Sequence, residues 1–240
     1  MSTKLDILAI AAHPDDVELS CSGTIAKHVA EGRSVGILDL TRGELGTRGT
    51  PELRAQEAAK ASEILGLRVR EALDLGDGWF ELNQANKLAI IKVLRKYQPE
   101  VVLCNAIHDR HIDHGRGSQL ASDACFLSGL RKIETEVGGQ LQQAWRPKAV
   151  YHYIQDRWID PDFVIDITEH MDTKLAAIHA FSSQFHDPDS KEPQTPISSP
   201  EFLEYIKGRA SQFGRMINAR FGEGFTVERT PGVASLFDLI

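Results

Sequence analysis

Short apolar runs alternate with longer helical stretches along most of this chain, and that alternation limits the fold more than any other feature. Residues 5–11, 33–41, 71–77 and 100–107 read as strands, followed by 148–154 and 162–167. Helical stretches separate them. Residues 17–31 form one, stopped by Gly32. Pro51 follows Thr50, a good N-cap, and opens a helix with Leu53, Ala58, Ala61 and Leu65 at helical spacing, ended by Gly66. Residues 83–99 are amphipathic and closed by Pro99, and 117–130, 170–185 and 201–222 read as three further helices. Strands alternating with helices imply an α/β fold, a mostly parallel sheet covered by helices on both faces. Ligands of such sheets bind outside the carboxyl ends of the strands.

The 240 residues suffice for a sizeable core, and neither a linker nor an internal repeat interrupts them, so 1–240 reads as one domain. Glycine-rich 43–50 reads as a loop, and polar, proline-rich 187–200 as a loop or lid. A net charge of -7 argues against a nucleic-acid partner, which needs clustered Lys and Arg. Lys4 and Asp6 break any signal-peptide core, and no apolar stretch approaches the roughly 20 residues that span a bilayer. Cys21, Cys104 and Cys125 include no C-x-x-C pair, so they read as small buried hydrophobes in a cytoplasmic protein.

Two polar clusters stand out, each directly after an apolar strand. The first lies in "AIAAHPDDVELS", residues 9–20, and supplies His13, Asp15 and Asp16. The second is "HDRHIDHGRG", residues 108–117, and supplies His108, Asp109, Arg110, His111, Asp113 and His114. Taken alone, Asp15 or Asp16 makes a fair N-cap, and "DRHIDH" is as easily a solvated loop. Together, at two strand ends, they read as a site. Imidazoles and carboxylates without thiolate suit Zn²⁺ held by two histidines and one carboxylate, with a fourth position left for water. The same donors accept Fe²⁺, Co²⁺ or Mn²⁺. Adjacent residues point different ways, so one of Asp15 and Asp16 can bind metal while the other acts as general base. Likewise, one of Asp113 and His114 can coordinate while the other orients a neighbouring imidazole. Spacing does not say which. Arg54 reads by default as an exposed helix residue, and Arg42 and Arg48 as loop charges. A nucleotide-binding protein without hydrolytic activity is disfavoured, because no G-x-G-x-x-G follows the first strand.

H-P-D-D-V-E after an N-terminal strand, with a later D-R-H-x-D-H, resembles the PIG-L/LmbE family of zinc-dependent N-acetylglucosamine deacetylases. "DLTRGELGTRGTPELR", "ACFLSGLRKI", "SQFHDPDSKEPQTPISSPEFLE" and "GEGFTVERTPGV" resemble its bacillithiol-biosynthesis branch. The resemblance implies a Rossmann-like fold and often a hexamer. It implies His13, Asp16 and His114 as zinc ligands, Asp15 as general base, and His111 as oxyanion stabiliser with Asp113 as its partner. Arg54 and Arg110 match positions expected near the substrate. Many members have Pro where this chain has Ile112.

The implied reaction removes acetate from N-acetylglucosaminyl malate, giving glucosaminyl malate. Arg42, Arg48, Arg54 and Arg110 are available to offset the charge of that anionic substrate. The alternatives are amidase action on bacillithiol S-conjugates and a broader N-acetylglucosamine or chitooligosaccharide deacetylase.

Overall fold

A computed structural model describes residues 4–185 and 190–238. Seven strands form the main sheet: β1 (Ile7–Ala11), β2 (Val35–Asp39), β3 (Val69–Ala72), β4 (Val101–Cys104), β7 (Ala149–Tyr153), β8 (Phe163–Asp166) and β9 (Gly222–Val227). A small antiparallel hairpin, β5 (Glu136–Val137) with β6 (Gln140–Leu141), stands apart. The sheet order is β3-β2-β1-β4-β7-β9-β8. The pairs β3/β2, β2/β1, β1/β4 and β4/β7 are parallel, whereas β9 runs antiparallel to both neighbours. This is the mostly parallel α/β sheet that the alternation predicts. Every residue of β1 and β2 is buried, as expected of strands covered on both faces.

The helices are α1 (Asp16–Ala30), α2 (Pro51–Leu65), α3 (Gln84–Tyr97), α4 (Ile112–Ser128), α5 (Met171–His179) and α6 (Phe202–Met216). Thr50 caps α2, its side chain accepting the Leu53 N–H, and Gly66 ends that helix at φ 66°. One apolar layer joins β1, β2 and β4 to α3 and α4 through Leu8, Ile10, Leu38, Ile90, Leu94 and Leu120. A second, with Ala9, Val17, Ile25, Ile37 and Tyr153, packs the other face against α1.

Two expectations need correction. α4 begins at Ile112, not near residue 117, so the second polar cluster is partly the first turn of a helix rather than a loop. The last helix stops at Met216, where Asn218 turns left-handed at φ 59°. The chain then returns as β9, which the reading of 201–222 as helix obscured. The hairpin β5/β6 went unread, although Gly138 and Gly139, at φ 57° and 78°, mark its turn. Of the expected lid 187–200, residues 187–189 lie outside the described residues, and 190–200 contain no helix or strand.

α1 is broken at Cys21, where φ is -139° and ψ is 17°. The break is hydrogen-bonded by two buried charges. Lys174 Nζ donates to the carbonyls of Glu18 and Leu19, while the Glu223 carboxylate accepts the N–H groups of Gly23 and Thr24. The two also pair at 2.6 Å. The first turns of α1, which carry Asp16, are thus anchored from α5 and β9.

Candidate metal centre and active site

The chain leaves β1 at Ala11 and enters α1 at Asp16, so the first cluster is compressed into residues 12–15. Asp15 takes a left-handed backbone, φ 107°, a conformation that costs a non-glycine residue about 1–3 kcal/mol. The surroundings hold it there. Arg54 Nη2 donates to Asp15 Oδ2 at 2.5 Å and to the Pro14 carbonyl at 3.0 Å. Asp16 turns the other way. Its Oδ2 accepts the His13 N–H, and its Oδ1 lies 3.0 Å from His114 Nε2.

The second junction runs from β4 to α4. His111 is the N-cap of α4, its Nδ1 accepting the Asp113 N–H at 3.3 Å. Asp113 and His114 follow in the first turn and point inward, both buried. Asp113 was expected to partner His111, but its carboxylate lies elsewhere. Oδ2 accepts the Gly78 N–H at 2.7 Å and lies 3.3 Å from His13 Nε2, and Oδ1 accepts from Arg116. The helical turn aims the Asp113 side chain at His13 and leaves only its backbone to His111.

Four further residues complete the site: Asp109 belongs to the second polar cluster, and the other three were missed in the sequence. Asp77, beyond the end of β3, places Oδ1 3.1 Å from His13 Nε2. Asp109 places Oδ2 2.5 Å from His114 Nδ1. Asn105, after β4, and Gln155, after β7, donate to the two oxygens of Asp16. Each follows a strand at its carboxyl end, the signal that could have found them. None sits in a dense polar motif except Asp109.

These partners set the proton positions. Asp77 and Asp113 both accept from Nε2 of His13, which leaves Nδ1 as its lone pair, 3.6 Å from Asp16 Oδ2. Asp109 accepts from Nδ1 of His114, which leaves Nε2 as its lone pair. Both lone pairs therefore face the Asp16 carboxylate, and carboxylates hold the far side of each ring, as around metal-bound imidazoles. One ring nitrogen from each of His13, His111 and His114 lies within 4.8 Å of the other two. Asp15, Asp16, Asp77, Asp109 and Asp113 are all buried here, with Arg54 the buried cation beside them. That surplus of negative charge fits a divalent ion.

The electrostatics agree. Burial pushes Asp15 up to about 6, against the pull of Arg54 and with the push of Asp16. Burial alone would lower His114, but Asp16 and Asp109 raise it to about 9. His13 is raised in the same way by Asp113, Asp16 and Asp77 in spite of its burial. Both rings thus hold a proton more tightly than a free imidazole, because carboxylates surround them. Burial and the charges of His13 and His114 lower His111, which favours its neutral form.

The arginines divide. Arg54 is 5% exposed and bonded to Asp15, not the exposed helix residue of the default reading. Arg110 is exposed and pairs with Asp156 at 2.8 Å. Arg42 is exposed and pairs with Glu52. Arg48, read as a loop charge, is buried.

The family model described as PIG-L, GlcNAc-PI de-N-acetylase, matches residues 8–125, a span that carries both junctions. A 4-oxalmesaconate hydratase of Pseudomonas putida is 30% identical over 195 residues, 75% of this chain and 74% of its own. The conserved protein TT1542 from Thermus thermophilus has a structure matching at TM-score 0.85 and 37% identity, covering 96% of this chain and 98% of that one. The chain belongs to the PIG-L family. A diacetylchitobiose deacetylase of Thermococcus kodakarensis is 29% identical over 240 residues, 95% of this chain and 84% of its own. As a PIG-L family member this chain is an N-deacetylase, a hydrolase, and it carries a buried His/Asp group of the kind that holds a metal ion. Among the described residues, no helix is long and apolar enough to cross a membrane.

Proposed function

We propose that this PIG-L family member removes the N-acetyl group of an N-acetylglucosamine conjugate, and that the conjugate is N-acetylglucosaminyl malate of bacillithiol biosynthesis. The observation that carries the reading is the pair of imidazole nitrogens, His13 Nδ1 and His114 Nε2, beside the Asp16 carboxylate, with Asp15 buried next to them. His13 Nδ1, Asp16 and His114 Nε2 are the proposed ligands of one divalent ion, zinc first. When bound, the ion supplies Lewis-acid polarisation of the amide carbonyl and activation of water.

The chain's own groups do the rest. Asp15, ionised at neutral pH with a carboxyl at about 6, accepts a proton as water adds to the acetamide carbon. It returns that proton to the glucosamine nitrogen as the C–N bond breaks, so acetate and a free amine leave. Arg54 fixes one Asp15 oxygen and the peptide before it, so its part is to aim the base. His111 accepts a backbone N–H at Nδ1, so its proton is on Nε2 and serves as a neutral donor to the developing oxyanion. A charged His111 held by Asp113 is not needed. Arg110, exposed and paired with Asp156, is a candidate for the substrate's outer carboxylate.

The deciding experiment is a deacetylation assay on N-acetylglucosaminyl malate with and without chelator, run in competition with a bacillithiol S-conjugate and N,N'-diacetylchitobiose. Preference for the malate conjugate supports the reading, and preference for the disaccharide moves the chain beside its Thermococcus relative. Buried, unpaired Cys21, Cys104 and Cys125 support a cytoplasmic site. The resemblance also supports a homo-oligomer, a hexamer, which sedimentation would test.

A further inference from the structure

The loop from β2 to α2 is one wall of the site. Its Leu45 N–H is bonded to Asp77, and Gly43 and Gly46 lie against the guanidinium of Arg54. Farther along the same loop, Arg48 is only 4% exposed. Its Nε has no hydrogen-bond partner among the described residues. What it faces is the carboxylate of Glu192, at 3.5 Å. The same carboxylate accepts the N–H of Gly49 through both oxygens, at 3.2 and 3.3 Å.

A buried guanidinium is costly unless its donors are satisfied. Here the partner is half-exposed, 46% for the Glu192 side chain against 4% for Arg48, and its alignment leaves Nε unbonded. The positive side is built into the fold: Gln184 Nε2 donates to the Arg48 carbonyl, and a Cβ on Gly49 would come within 2.8 Å of Ser183. The negative side comes from residues 190–200, a stretch without helix or strand. Arg48 and the Gly49 N–H also lie just before α2, whose amino end favours an anion. A fixed cationic seat with a loosely fitted carboxylate is what remains when a chain's own side chain stands in for a ligand.

We propose that Arg48 and the Gly49 N–H form the seat for a carboxylate on the substrate's aglycone, and that Glu192 is the internal occupant that this carboxylate displaces. The assignment rests on the deacetylase reading above and places carboxylate recognition at Arg48 rather than at Arg110. A bidentate guanidinium matches a carboxylate in geometry as well as charge.

The test compares N-acetylglucosaminyl malate with neutral methyl N-acetylglucosaminide on wild type, Arg48→Ala, Glu192→Gln and the double variant. Arg48→Ala should lower the kcat/KM ratio of conjugate to glycoside by about tenfold or more, chiefly through KM. Glu192→Gln should raise that ratio several-fold, and the gain should vanish in the double variant, because it acts through Arg48. An unchanged ratio in Arg48→Ala, or a gain that survives in the double variant, would overturn the seat. Should Arg48→Ala fail to fold, free malate as a competitive inhibitor of glycoside hydrolysis decides. Its inhibition constant should fall in Glu192→Gln, and an unchanged constant refutes the proposal. Hydrolysis of the glycoside but not of the malate conjugate by wild type would instead defeat the substrate assignment, with malate inhibition still reporting on the seat.

Discussion

The two βα junctions that build the site are made differently. After β1, residues 12–15 leave no slack: His13, Asp15 and Asp16 are all buried, and Asp15 is held in a strained left-handed backbone. After β4, residues 105–114, which run into the first turn of α4, form a longer passage with two sides. Its inner side buries Asn105, Asp109, Asp113 and His114. Its outer side exposes Ile107 at 54%, Ile112 at 62% and the paired Arg110. The tight junction has no room to vary without moving Asp15, the proposed base. The long one can change its outer face and keep its inner one. On the roles proposed above, the comparison teaches that the base is pinned at β1, whereas β4 serves both the ion and the substrate's surroundings.

The largest expected effect tests whether the inner side of the β4 junction is as indispensable as β1. His114→Ala should lose the bound ion and activity together, by more than about a thousandfold in kcat/KM. Metal analysis of the purified variant beside the assay checks it. Full metal occupancy would remove His114 from the ligands and leave the β1 junction to hold the ion by other means.

Next comes the division of labour inside the β1 junction. Asp15→Asn should keep the ion, because Asp15 faces Arg54 rather than the imidazoles. Its turnover should fall by about 10²–10⁴, the usual contribution of a general base. An emptied site in that variant would exchange the roles of Asp15 and Asp16.

A smaller effect separates ligands from the groups that orient them. Asp77→Asn removes one of the two carboxylate charges behind His13 and one of the two oxygens that accept from His13 and the Leu45 N–H. Metal affinity should weaken by about 10–100-fold, as for other carboxylates behind metal-bound histidines. With metal restored in excess, most of kcat should return. A variant that stays inactive when fully loaded would place Asp77 in the reaction itself.

The contrast between the junctions also explains what could be read without coordinates. His-Pro-Asp-Asp directly after a continuous apolar strand is dense and local, so it stood out. The fold class was equally open, since β1, β2 and β4 are apolar runs separated by capped helices. Asp77 and Gln155 were hidden because each is a single polar residue after a strand, and only the sheet order brings them to His13 and Asp16. The partner of Asp113 was hidden for another reason. Neighbours in sequence suggested His111, but the first turn of α4 directs the carboxylate across to His13. β9 was masked by the helical run before it, and its glycines weaken any strand signal.

The smallest expected effect concerns the outer side of the β4 junction, at Ile112, where the resemblance has proline in many members. Ile112 is the first residue of α4, the position at which a helix tolerates proline because that N–H has no partner within the helix. The preceding residue must then avoid the helical region, and His111 already does, with φ -82° and ψ 132°. The Ile112 side chain is 62% exposed, so little packing is lost with it. Ile112→Pro should therefore stabilise the fold by about 0.4–1 kcal/mol, acting by restricting the unfolded chain. A higher urea midpoint at unchanged slope is the expected readout. Since the backbone on either side keeps its shape, His111 and Asp113 should stay in place, and kcat/KM should change by less than about twofold. A stability loss would show that the start of α4 differs from the proline-compatible geometry. A large drop in activity at normal stability would mean that the Ile112 side chain itself meets the substrate, and the outer face would then belong to specificity.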